Sequence, residues 1–231
     1  MEDFENKIHN IQIINHLIKK DHMKIKFLFL VLLFSNSAFS NYKLEIVLDD
    51  LDDAWSFVFL GEDKILFTEM PGKLKVASLS DRSITEITNV PTVQYSGQGG
   101  LSDIALDPDF ESNNTIYLSY SARNQNKKTT LFLLSAQLEG SVLENSKVIF
   151  QADAPRRSPM HLGAKIAFMK DGTILLTSGD GFEHRQKAQD LGNHFGKIIR
   201  INKDGSIPAN NPFINVKDAL PEIYSYGHRN M

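Results

Sequence analysis

One block is written three times along this chain: an apolar run, a tight turn, a returning apolar run and a further strand-like segment. It first appears as Trp55-Ser56-Phe57-Val58-Phe59-Leu60, a turn at Gly61-Glu62-Asp63, Ile65 to Thr68, then Lys73 to Ala77 across Pro71-Gly72. It recurs as Ser102 to Leu106, Thr115 to Tyr120 and Thr130 to Leu134, and again as Ala164 to Phe168, Thr173 to Thr177 and Lys197 to Ile201. The runs are short, rich in β-branched and aromatic residues and bounded by Gly, Asp and Asn, so they read as strands. Trp55, Ser102 and Ala164 open the blocks at intervals of 47 and 62 residues. Spacing of this order, filled with short antiparallel strands, predicts blades of a β-propeller, in which each small sheet buries its faces against its neighbours. A β-sandwich also strings short strands between turns, but it does not require the same block to repeat. Leu44 to Leu48 alternates and predicts an entry strand. No long amphipathic helix is predicted after residue 40.

The N-terminal region follows a different pattern. From Met23 the chain reads MKIKFLFLVLLFSNSAFS: basic at Lys24 and Lys26, apolar from Phe27 to Phe34, then small and polar to Ser40. These are the three regions of a secretory signal peptide, with an apolar core too short to span a bilayer. We therefore expect residues 1–22 to be an upstream extension, 23–40 a cleaved signal and 41–231 the mature chain, exported to the periplasm or secreted. Three blocks fit in the mature segment, with the start of a fourth. A closed ring needs at least about four, so the expectation is the N-terminal part of a larger propeller.

Composition narrows the chemistry. There is no cysteine, which removes disulfides, thiolate ligands and a cysteine nucleophile. A net charge of −3, with Lys and Arg interspersed among the acids, offers no basic stripe for nucleic acid.

Residues able to do chemistry concentrate between Ser158 and Arg200. His161 precedes the run AKIAF, which turns at Lys170-Asp171-Gly172 and returns as TILLTSGD, so the hairpin brings His161 beside Asp180. A carboxylate that fixes the tautomer of a histidine is a common layout for a general base. On the hairpin alone, a loop histidine next to an ordinary turn is the simpler reading. Two further stretches stand out: Gly97-Gln98-Gly99-Gly100, whose one functional side chain is an amide, and Tyr226-Gly227-His228-Arg229-Asn230. The first is no phosphate loop, since neither a Lys-Ser/Thr pair nor a helix follows it. All three stretches sit just before the first strand of a block, so a propeller would gather them at one end of its channel. His184 and His194 lie in a polar segment whose spacing fits no zinc signature, and it reads as an exposed insertion.

Several of these segments together, GQGGLSDIALDPDF, NTIYLSYS, HLGAKIAFMKDGTILLTSGD, AQDLGNHFGKIIRINKDGSIPANNPF and PEIYSYGHRN, resemble the soluble pyrroloquinoline-quinone (PQQ) dependent sugar dehydrogenases, in the aldose (glucose/sorbosone) branch. The similarity runs from about Trp55 to Asn230. It implies an all-β, six-bladed propeller, of which this chain holds about three blades and the start of a fourth. It further implies PQQ held with a calcium ion, an aldose substrate oxidised at its anomeric carbon to the lactone, and an external electron acceptor that the resemblance does not identify. By the same resemblance His161 matches the general base and Asp180 the acid that orients it. Gln98 matches an amide near substrate and cofactor, and Arg229 with Asn230 the pair contacting the quinone. Met231 stands where the family continues Pro-Gln-Gly, and no calcium ligand is assigned among these residues. The competing expectations are a propeller that only binds, and an inactive truncated fragment of such a dehydrogenase. Retention of the glutamine, histidine, aspartate and Arg-Asn pair together favours the enzyme.

Overall fold

The computed structural model describes residues 44–231. The expected upstream extension, signal segment and cleavage point lie outside the described residues. The repeat becomes three four-stranded antiparallel sheets, each a simple meander of consecutive strands. The first contains β1 (Ala54–Leu60), β2 (Lys64–Glu69), β3 (Lys73–Ser78) and β4 (Ile84–Ile87). The second contains β5 (Leu101–Leu106), β6 (Thr115–Arg123), β7 (Thr129–Glu139) and β8 (Val142–Gln151). The third contains β9 (Gly163–Phe168), β10 (Ile174–Ser178), β11 (Lys197–Ile201) and β12 (Ile223–Tyr226).

Two sequence expectations need correction. The blocks read as three strands each, yet every sheet has a fourth. The reason is exposure: β4 buries only Ile87, and the middle of β8 is exposed, so these outer strands carry little of the apolar alternation that marks a strand. The alternation at Leu44 to Leu48, by contrast, forms no strand.

Two apolar clusters hold the sheets together, and the second sheet serves both. Successive side chains of a strand point to opposite faces. On β6, Ile116, Leu118 and Tyr120 therefore pack with Leu66, Leu74 and Leu101, while Tyr117 joins Leu131, Leu133, Ala164, Ile174 and Leu176 on the other side. Each fully buried leucine or isoleucine here contributes about 1.5–3 kcal/mol relative to exposure. The first strands of the sheets are spatial neighbours, β1 beside β5 and β5 beside β9. That arrangement brings the segments preceding each first strand to one end of the molecule.

Polar bonds fix the spacing of those inner strands. Asp103 on β5 is 3% exposed, and its carboxylate accepts from Ser56 Oγ of the first sheet (2.5 Å) and from Lys165 Nζ (2.8 Å) and the Ile166 N–H (2.7 Å) of the third. Thr68 Oγ1 donates to the Ser102 carbonyl at 2.6 Å, and Ser119 Oγ to the Ala164 carbonyl at 2.5 Å. One buried carboxylate on the second blade thus ties in the first and the third.

Candidate active site

The three lead-in segments interlock directly. The His161 N–H donates to Gln98 Oε1 at 2.7 Å, and the Gln98 N–H donates to the Pro159 carbonyl at 2.9 Å. From the other side, the Gly163 N–H donates to Asn230 Oδ1 at 3.0 Å and the Asp180 N–H to the Arg229 carbonyl at 2.7 Å. Gln98, His161, Asp180, Arg229 and Asn230, drawn from positions far apart in sequence, are therefore brought to one place. Glycine permits the approach. A Cβ at Gly179 would stand 2.2 Å from the His161 carbonyl oxygen, and one at Gly100, where φ is +156°, would stand 2.1 Å from the Met70 carbonyl oxygen.

The centre of this arrangement is an imidazole held by a carboxylate. In the β9–β10 register Gly163 pairs with Ser178, and two residues beyond each lie His161 and Asp180. His161 Nδ1 is 2.7 Å from Asp180 Oδ1, and the same oxygen accepts from the Phe182 N–H at 2.8 Å. With Asp180 ionised, Nδ1 carries the proton that it donates, and Nε2 keeps its lone pair. Phe182 meets the imidazole edge to face at 5.3 Å and blocks rotation on that side. His161 has φ of +50°, in the left-handed region that a non-glycine residue occupies only when its surroundings impose it. The hydrogen bonds to Gln98 and Arg156 supply that constraint.

Arg156 is a site residue that sequence reasoning missed. It is 1% exposed, and its Nη1 donates to the His161 carbonyl at 2.7 Å while Nε donates to the Ala154 carbonyl at 3.1 Å. Its guanidinium lies over the Phe195 ring at 5.1 Å. Burial lowers its pKa to about 10, with the charge of Asp180 acting in the opposite direction, so it remains a cation at neutral pH. Trp55 is a second omission. In the sequence it marks only the opening of the first block, yet Lys165 Nζ sits 4.7 Å above its ring.

The segment after Asp180 is mostly exposed, as expected, up to Gly192, but it turns inward at Asn193 and His194. It contains a 3₁₀ turn, Arg185–Gln189, and its His194 is 2% exposed. His194 Nδ1 accepts from the Asp153 N–H at 2.7 Å, and its Nε2 lies 3.1 Å from Glu222 Oε1. Lys197 is fully buried, and its Nζ donates to the carbonyls of Phe195, Ala188 and Lys187 at 2.6, 3.0 and 3.1 Å. Burial lowers its pKa to about 8. These two residues brace the loop that carries Phe182 against the imidazole.

A cavity of about 260 Å³ opens among Trp55, Gln98, Leu162, Gly163 and Asn230. An aromatic wall with amide groups suits a flat, polar ligand. Arg229 is not among the lining residues: it meets the site through its carbonyl, which accepts from the Asp180 N–H, and its side chain is exposed and in no ion pair among the described residues. The described residues include no group of three or more His, Asp or Glu placed to hold a metal ion.

Comparison with known proteins identifies the family and the fold. Residues 51–231 match the Glucose / Sorbosone dehydrogenase family. The chain is 32% identical to an aldose sugar dehydrogenase of Escherichia coli over 81% of this chain and 51% of that protein. A crystal structure of a glucose dehydrogenase superposes with a TM-score of 0.78 at 32% identity, covering 82% of this chain and 55% of the other. The PQQ-bound aldose sugar dehydrogenase of Streptomyces coelicolor superposes with a TM-score of 0.69 at 27% identity, covering 82% and 55%. The chain spans about half the length of the curated relatives it matches.

Proposed function

The chain belongs to the glucose/sorbosone dehydrogenase family, and from that premise we propose that it forms the half of a PQQ-dependent aldose dehydrogenase that carries the general base. The observation that carries this reading is the buried His161–Asp180 pair at 2.7 Å, set beside Gln98, Arg229 and Asn230. His161 Nε2 takes the proton of the anomeric hydroxyl as the anomeric C–H leaves with its electron pair and the carbon–oxygen double bond of the lactone forms. Asp180 stabilises the imidazolium that results. Gln98 and Arg156 hold the backbone of His161 from both sides, which keeps the ring within reach of one hydroxyl. Arg229, Asn230 and Gln98 would hold the quinone, the guanidinium supplying a positive charge to an anionic cofactor. Bound there, the quinone supplies the acceptor for the hydride.

The binding-only alternative leaves the imidazole–carboxylate pair unexplained, because recognition of a sugar needs no fixed tautomer. Export rests on the signal-like segment 23–40. Among the described residues no helix is long and apolar enough to cross a membrane. The test is a dye-linked assay on the protein produced from the complete gene, with PQQ, calcium and an aldose. Bleaching of the dye that requires added PQQ is the expected result. A protein that binds PQQ and sugar but transfers no electrons returns the reading to a binding module.

A further inference from the structure

A second concave surface, separate from the cavity beside Trp55, adjoins the same lead-in segments through Ser96 and Pro159. It encloses about 470 Å³, and Arg123, Lys127, Lys128, Arg156 and Arg157 line it with no Asp or Glu among the lining residues. The four exposed cations, Arg123, Lys127, Lys128 and Arg157, form no ion pair among the described residues. The lysines are presented by a built turn: Asn124 Oδ1 accepts from the N–H groups of Asn126 and Lys128 at 3.0 and 3.1 Å, and Lys127 takes φ of +56°. Lys128 and Arg157 also line an adjoining concavity that holds Asp153, Glu183 and Asp190, but they form no ion pair with these acids, and on the groove side the backbone holds like charges together.

The second observation is Arg156. Its Nη1 and Nε are used on the carbonyls of His161 and Ala154, but its buried Nη2 has no hydrogen-bond partner among the described residues. A buried guanidinium N–H without an acceptor is a costly arrangement. Arg156 lines the same groove as the four exposed cations, so an anion seated there would lie beside its guanidinium, whose fork suits carboxylate or phosphate.

We propose that this groove binds an anion of the phosphate or carboxylate class, free or carried on a sugar. Occupancy would bear on His161 through the Arg156 Nη1 bond to its carbonyl. Binding here requires neither quinone nor turnover, so its failure is distinct from failure of the dehydrogenase reading.

The experiment titrates the full chain by calorimetry with inorganic phosphate, glucose 6-phosphate and glucose, while NMR follows the His161 ring signal. Arg156 is buried, so replacing it would test folding as much as binding. The exposed pair Lys128→Ala with Arg157→Ala carries the comparison instead. The expected results are saturable phosphate binding that weakens as salt rises, a shift of the His161 signal on binding, and about tenfold weaker binding in the double variant, since two charge-assisted contacts are lost. Tighter binding of glucose 6-phosphate than of either phosphate or glucose assigns the anion to a sugar, and equal affinity with phosphate assigns it to a free ion. Absence of phosphate binding overturns the proposal. So does binding that the double variant leaves unchanged, in which case the guanidinium of Arg156 is satisfied by the Phe195 face alone.

Discussion

His161 Nδ1 and Asp180 Oδ1 stand 2.7 Å apart at the two ends of one hairpin, and both side chains are buried. The imidazole therefore has a single tautomer and a single orientation to offer. If it serves as the base, His161→Ala should lower turnover by about 10²–10⁴-fold. The absorbance of bound quinone should persist, because Arg229 and Asn230 are the expected anchors. Asp180→Asn should act in the same direction but more weakly, through the orientation of the ring. Parallel loss of turnover and quinone absorbance in His161→Ala would mean that His161 is a cofactor anchor and not the base.

Asp103 governs how the sheets hold together. Its carboxylate bonds Ser56 of the first sheet and both Lys165 and Ile166 of the third. Lys165 is half exposed, so its ion pair is screened and contributes little. The Ile166 N–H bond matters more, and removing its acceptor costs about 1–3 kcal/mol. Asp103→Ala should thus destabilise the chain by that order in urea unfolding, and Lys165→Met by much less. Equal costs for the two substitutions would locate the stabilisation in the ion pair.

Much of this is legible in the sequence where local chemistry suffices. The turn at Asp171-Gly172 sets the register that places Asp180 beside His161, and both strands announce themselves by apolar runs. Arg156 is not legible. It lies in the polar string Arg156-Arg157-Ser158, and only the packing of the loop shows that one arginine turns inward to the His161 carbonyl while its neighbour stays exposed. His194 escapes for a related reason: its segment is mostly polar and carries no apolar alternation, and its partners Asp153 and Glu222 come from distant loops. The outer strands β4, β8 and β12 bury too little for periodicity to reveal them.

The turn at Asp171 also carries a pH dependence. Asp171 Oδ1 accepts from the Thr173 hydroxyl and N–H at 2.7 and 3.0 Å, and Arg200 Nη2 is 2.6 Å from Oδ2. The Thr173 bonds, aided by Arg200, lower its pKa from 3.8 to about 2. A depressed carboxyl pKa stabilises the fold fully above the unfolded value and ceases to do so as pH falls through the folded one. The wild-type melting temperature should therefore fall between about pH 4 and pH 2, and Asp171→Asn should show a shallower fall over that window while being less stable at neutral pH. Identical slopes for the two proteins would show that the clasp does not persist in solution.

The first sheet keeps an open apolar face. β1 turns Val58 and Leu60 toward the cluster shared with the second sheet, which leaves Phe57 and Phe59 on the opposite side at 58% and 60% exposure. The two rings meet edge to face at 5.6 Å, beside an apolar hollow of about 140 Å³ lined by Leu51, Ala54, Ile65 and Phe67. Paired phenylalanines beside an apolar hollow on a β-sheet form a surface that soluble chains rarely leave uncovered. Residues 41–231 produced alone should consequently self-associate through this face, seen as concentration-dependent mass in size exclusion with light scattering. Phe57→Lys with Phe59→Lys should shift the protein toward monomer with little loss of stability, because neither ring contributes to the two buried clusters. A monomer at every concentration without those substitutions would show that the face is tolerated in water.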